Sequence, residues 1–104
     1  MTQHCATAVP ADHPALVGHF PGNPLVPGVV LVSLAESAAR ELVGAGARLV
    51  RLPVLKFLQP LRPDEPFAIR VEADRVDGMV VKFTIAVVAD SNQTIATGTL
   101  HFSR

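Results

Sequence analysis

Ten residues carry the densest chemical signal in the chain: His19-Phe20-Pro21-Gly22-Asn23-Pro24-Leu25-Val26-Pro27-Gly28. Three prolines and two glycines in that span exclude a helix or a central strand, so the segment is a rigid, shaped loop. An imidazole stands at its head. Imidazole titrates near neutrality and is the side chain best suited to taking up a proton there. At its tail, Pro27-Gly28 opens into a segment of helical character, and a helix start presents backbone N–H groups with no intrahelical acceptor. A loop built this way holds a base close to a set of donors for developing negative charge.

Those residues need elements to position them. The spacing from Gly28 to Val43 predicts a helix, closed by Gly44-Ala45-Gly46 as C-cap. Val29, Val30 and Val32 lower its intrinsic propensity, so burial has to hold it. Leu31, Leu34, Ala35, Ala38, Ala39 and Leu42 fill most of its circumference, which predicts a helix wrapped by other elements. Polar Ser33, Glu36, Ser37 and Arg40 fall in one narrow stripe.

Five strands are expected around it. Gln3 to Val9 is ended by Pro10 and Asp12-His13-Pro14. Leu49 to Leu58 contains Pro53, which implies a bulge or an edge position. Phe67 to Ala73 alternates apolar with polar residues, and Met79 to Val88 returns after the Asp77-Gly78 hairpin signal. Thr94 to Phe102 closes the chain with Gly98 inside it. One helix followed by an antiparallel meander predicts an α+β fold in which the sheet wraps the helix.

Length and composition bound the rest. A chain of 104 residues is one domain, spanning 1–104. Its 49% hydrophobic content and mean hydropathy of +0.37 are high for this size, and point to surface buried against a partner subunit. Nine basic residues against nine acidic give no general electrostatic support for binding nucleic acid. Cys5 is the lone cysteine and reads as a small hydrophobe in the first strand. His4, His13 and His101 carry no motif, read as structural or exposed, and have no zinc spacing. The first ten residues lack the pattern of a signal peptide, and no apolar run spans a membrane. The expectation is a cytoplasmic oligomer without a metal.

The pattern His19-Phe20-Pro21-Gly22-x-Pro24-x-x-Pro27-Gly28 resembles the active-site loop of the FabZ-type 3-hydroxyacyl-(acyl-carrier-protein) dehydratases. Lys56-Phe57-x-x-Pro60-x-x-Pro63 resembles the strand and loop that follow that family's helix, and Gly98-x-Leu100-x-Phe102 its last strand. The shortness of the chain and the Leu-Val-Pro-Gly-Val-Val variant are also similar to the small dehydratases of aryl-polyene pathways. The resemblance implies a hotdog fold, with an antiparallel sheet around one long buried helix, and dehydration of a thioester borne on acyl carrier protein. It also implies no cofactor, and a site shared between two subunits.

By the same resemblance His19 is the base and the Gly28 N–H binds the thioester carbonyl, with Phe20 and Pro27 contacting substrate. The family's third group is a carboxylate fourteen residues after the histidine, on the facing subunit's helix. Here that position is Ser33, which can hold a water or a hydroxyl but is no general acid near neutrality. Glu36 lies one turn further along. It either replaces the missing acid or pairs with Arg40 at i,i+4 spacing. Leu31 and Phe83 are either core or lining of an acyl tunnel.

Three functions stay open at this point: a dehydratase, a non-catalytic acyl-binding subunit completing a heterodimer, and a thioesterase using Glu36. The subunits would be two identical copies or two different hotdog chains. The run Arg40, Arg48, Arg51, Lys56 and Arg62 is either a docking patch for an acidic carrier or an ordinary solvated face.

Overall fold

A computed structural model of the chain describes residues 2–9, 25–44, 46–89 and 93–103, with the first strand seen through its backbone. The elements are β1 (Thr2–Thr7), α1 (Gly28–Val43), β2 (Arg48–Phe57), β3 (Phe67–Ala73), β4 (Val80–Val87) and β5 (Thr94–Ser103). All strand pairs are antiparallel, in the order β1-β3-β4-β5-β2. This is the hotdog arrangement. The expected strand ends move by one or two residues. Val9 in particular falls outside β1, where it is buried and its carbonyl accepts the Asp64 N–H at 2.7 Å.

Alternation decides which face is covered. Phe67, Ile69 and Val71 on β3, Val81, Phe83, Ile85 and Val87 on β4, and Ala96, Leu100 and Phe102 on β5 are all buried. They meet Leu31, Ala35, Ala38, Ala39 and Val43 of the helix. The three alanines bring the helix axis close to the sheet. Phe83 is core: its ring occupies the space beside Gly98, its cross-strand partner.

The helix is less enclosed than its composition predicts. One face is buried, whereas Ser33, Ser37 and Glu41 are exposed and Val29 is 74% exposed. A single five-stranded sheet covers one side of a helix, and the other side lies open in this chain.

Gly44 ends the helix with φ 102°, where a side chain would be strained, and its N–H donates to the Arg40 carbonyl at 2.8 Å. The β3–β4 hairpin forms around Asp74 as well as Asp77-Gly78. Asp74 Oδ1 accepts from the Val76 and Asp77 N–H groups at 2.8 and 3.1 Å, and Asp77 Oδ1 accepts from Met79 at 3.0 Å. β2 is an edge strand, and its pairing with β5 shifts register between Leu49 and Arg51 and again between Arg51 and Val54, around Pro53. None of its residues is buried, and Val50, Val54 and Phe57 are among the exposed large hydrophobics. No described helix is long and apolar enough to cross a membrane.

Candidate active site

The start of α1 is fixed by three contacts. Pro27 takes an extended conformation (φ −63°, ψ 144°), and its carbonyl accepts the Val30 N–H at 3.0 Å. The Val26 N–H donates to the Leu61 carbonyl at 2.8 Å, tying the helix entry to the segment after β2. That segment is anchored in turn, because Leu58 and Gln59 both donate to the Ile95 carbonyl, at 2.8 and 3.3 Å. No side chain caps the helix, and no acidic residue occupies its first turn. The positive end of the helix is therefore left for another acceptor.

Between these two segments lies a cleft of about 360 Å³, lined by Leu25 to Gly28 and Leu31 on one side and Phe57 to Leu61 on the other. Cavities of roughly 300–1,000 Å³ suit small-molecule ligands. Phe57, half exposed, lays its ring against the helix start: Cζ is 2.6 Å from where a β-carbon on Gly28 would stand. Residue 28 has to lack a side chain for ring and helix to meet. Leu31 combines both roles foreseen for it, being buried and part of the cleft wall.

A second groove, of about 290 Å³, runs along the open side of the same helix and is lined by Val29, Val30, Ser33 and Leu34. Gly28 and Pro27 thus face the first cleft, and Ser33 the second. Glu36 lines neither. Its Oε2 accepts from Arg40 Nη2 at 2.6 Å and from Nε at 3.2 Å. Arg40 also donates through Nη1 to the Ala47 carbonyl, and its guanidinium lies 5.8 Å from the centre of the Phe102 ring. The geometry is that of the i,i+4 ion pair. His19 and Phe20 lie outside the described residues.

Among the described residues no carboxylate lines either groove, and no three of His, Cys, Asp and Glu come together as a metal site. His4, in β1, stands opposite Arg70 by register, and His101, in β5, is paired across strands with Arg51 and Val80. His13 lies outside the described residues. Sequence reasoning missed Leu58 and Gln59 as cleft residues. The Lys56-Phe57-x-x-Pro60 spacing marked the segment, but only the hydrogen bonds to Ile95 bring it opposite the helix start.

An apolar cleft at an uncapped helix start, on a helix backed by an antiparallel sheet, belongs to the hotdog class. Within that class residues 2–99 match the family model described as ApeI-like, ApeI dehydratase, and the chain belongs to that family. It is 32% identical over 93 residues to a 3-hydroxyacyl-(acyl-carrier-protein) dehydratase FabZ of Verminephrobacter eiseniae, covering 79% of this chain and 62% of that one. The chain spans about half the length of other curated FabZ proteins it matches. Among solved structures it superposes on the dehydratase heterocomplex ApeI:P from Xenorhabdus doucetiae with a TM-score of 0.84 at 23% identity, covering 99% of this chain and 88% of that one. An (R)-hydratase from A. caviae involved in PHA biosynthesis gives 0.75 at 20% identity, with 99% and 93% covered.

Proposed function

We propose that the chain is a dehydratase subunit acting on a 3-hydroxyacyl thioester borne on acyl carrier protein, releasing water and leaving a trans-2-enoyl thioester. The observation that carries this reading is the cleft between the uncapped helix start and the β2–β3 connection. Its apolar walls suit an acyl chain, and Gly28 at the positive helix end suits the thioester carbonyl. In the reaction His19 removes the proton from C2 and the carbonyl oxygen gains negative charge. The C2–C3 double bond then forms as the C3 hydroxyl departs with a proton, as water. An N–H donor aimed at that oxygen supplies about 3 kcal/mol. Phe20 and Pro27 line the substrate's path.

A second reading is favoured by Ser33. The groove that holds it is open, apolar and without a carboxylate, which fits a face closed by a second hotdog subunit. Two identical subunits would leave both sites without the family's helix acid. A different partner chain bearing an acid there would complete one site with this chain's His19, and the ApeI:P neighbour is a heterocomplex. A thioesterase needs a carboxylate to activate water, and the ion-paired Glu36 is poorly placed for it.

The test is an assay of the purified chain, alone and with candidate hotdog partners. It follows hydration of 2-enoyl thioester, dehydration of 3-hydroxyacyl thioester and release of free thiol. Hydration and dehydration without thiol release are expected, and His19→Ala should lower them by about two to four orders of magnitude. Thiol release as the main activity would favour the thioesterase instead.

A further inference from the structure

The face of the sheet turned away from the helix carries charge unevenly. Register sets Arg48 opposite Ser103, Arg51 opposite His101 and Lys56 opposite Thr97. Directly opposed residues share a face, and these β5 residues alternate with buried Ala96, Leu100 and Phe102. The three cations therefore project from the outer face. Lys82, opposite Thr99, and Arg70, opposite Thr84, share that face.

Two of the five have carboxylates nearby. Arg70 lies 3.3 Å from Glu72, and Lys82 is opposite Glu72 and near enough to Asp74 to help hold its carboxyl down. No described carboxylate forms an ion pair with Arg48, Arg51 or Lys56. The chain as a whole is neutral, so this local excess comes from arrangement and not from composition. Arg40, which the sequence groups with these residues, is spent on Glu36 and the Ala47 carbonyl.

Position gives the row a use. From Arg48 to Lys56 it runs roughly 25 Å along β2, about the length of a 17-residue helix. Lys56 immediately precedes Phe57 to Leu61, the outer wall of the cleft. Backbone pairing at the free edge of β2 happens in the plane of the sheet, so a second subunit joined there would leave the outer face open.

We propose that Arg48, Arg51 and Lys56 form a docking surface for an acidic protein, namely the carrier that delivers the acyl thioester to the cleft. This rests on the dehydratase reading for the identity of the partner and on the charge arrangement for its chemistry. Charged side chains also guard edge strands against aggregation. A purely protective row would change self-association and leave carrier binding alone.

The experiment titrates the full chain into an acidic acyl carrier protein labelled on its prosthetic thiol and reads fluorescence anisotropy. Reversal of the row (Arg48→Glu, Arg51→Glu, Lys56→Glu) should weaken binding by about tenfold or more, and wild-type binding should fall as salt rises. The milder Arg48→Gln, Arg51→Gln, Lys56→Gln variant, checked by circular dichroism, guards against misfolding and should weaken binding by a smaller factor. Reversing the paired cations Arg70 and Lys82 should change it by less than about twofold. Unaltered binding in both row variants, equal loss on reversing Arg70 and Lys82, no wild-type binding, or equal affinity for a nucleic acid of similar charge would each overturn the proposal. This arm needs no turnover, so it stands apart from the dehydratase reading. With active enzyme, kcat/KM should fall for carrier-borne substrate and hold for the same acyl group on the neutral N-acetylcysteamine thioester.

Discussion

The Phe57 ring occupies the space that a side chain on residue 28 would need, with Cζ, Cε1 and Cε2 at 2.6, 2.9 and 3.0 Å from the β-carbon position. The pair joins the cleft's two walls, one from the helix start and one from β2. Because the ring is half exposed it can swing away, so Gly28→Ala should fold with stability within about 0.5 kcal/mol of wild type. The displaced ring and the added methyl would shift the carbonyl-binding position, and kcat/KM should drop by about a hundredfold. Adding Phe57→Ala should recover part of that loss. Thermal melts and enoyl thioester hydration check both halves, and an active Gly28→Ala enzyme would remove the helix start from the mechanism.

Much of this was legible in the residues, for reasons that differ by element. The β3 and β4 alternation and the Gly28–Val43 helix with its glycine cap are local patterns, and they appear as expected. The helix was read as enclosed because its apolar residues run almost all round. The structure shows that composition anticipating a surface beyond this chain, since Val29 is open. The cleft was only half legible. The Pro27-Gly28 turn announced one wall, but Leu58 and Gln59 come opposite it through bonds to Ile95, a contact no local pattern encodes. The basic row was blurred for the same reason: sequence order grouped Arg40 with Arg48, Arg51 and Lys56, whereas the sheet separates them.

Asp74 makes the β3–β4 hairpin sensitive to acid. Backbone N–H donors from Asp77 and Val76 hold its carboxyl below its ordinary value of 3.8, helped by Lys82 and opposed slightly by desolvation. A carboxyl whose folded pKa is depressed adds stability that is present above 3.8 and is lost as pH falls through the folded value. Acid melts of Asp74→Asn, which keeps an acceptor oxygen but cannot ionise, should lose less stability below pH 3.8 than wild type. A carbon-detected titration placing Asp74 at or above that value would refute the assignment.

Gly98 is where the sheet tolerates no side chain at all. A β-carbon there would meet Phe83 Cε1 at 2.5 Å and the Val54 carbonyl oxygen at 2.7 Å, one in the core and one in the backbone of β2. Neither can retreat as Phe57 can. Gly98→Ala should cost about 1–3 kcal/mol, measured by urea unfolding. Phe83→Leu should relieve part of that cost, and an additive double mutant would show that the ring is not the obstacle.

The free edge of β2 and the open side of α1 both predict self-association. Val50, Val54 and Phe57 on the edge, and Val29 on the helix, leave apolar surface that water must otherwise cover. Light scattering should therefore report a dimer or larger assembly, made with itself or with a second hotdog chain. A stable folded monomer at micromolar concentration, in the presence of that chain, would count against the shared site as well.

Ser33 and Glu36 allow the sharpest test of where the acid resides. Glu36 is held by two Arg40 nitrogens, and its side chain is 28% exposed against 34% for Arg40. After discounting for solvent, the pair contributes about 0.5 kcal/mol, so Glu36→Gln should barely alter stability. It should also leave turnover nearly unchanged, because the carboxylate lies about 12 Å along the helix from Gly28 and lines neither groove. Ser33→Glu is the opposite change. Its side chain would enter the open groove beside Val29, Val30 and Leu34, where the resemblance to the dehydratases puts their acid. The new carboxylate should raise dehydration by about tenfold or more in a self-associated chain, the lower range for a positioned acid. If Glu36→Gln abolished activity while Ser33→Glu brought no gain, Glu36 would be a relocated acid that leaves Arg40 during turnover. If neither mattered while a partner chain restored activity, the acid would belong to that partner.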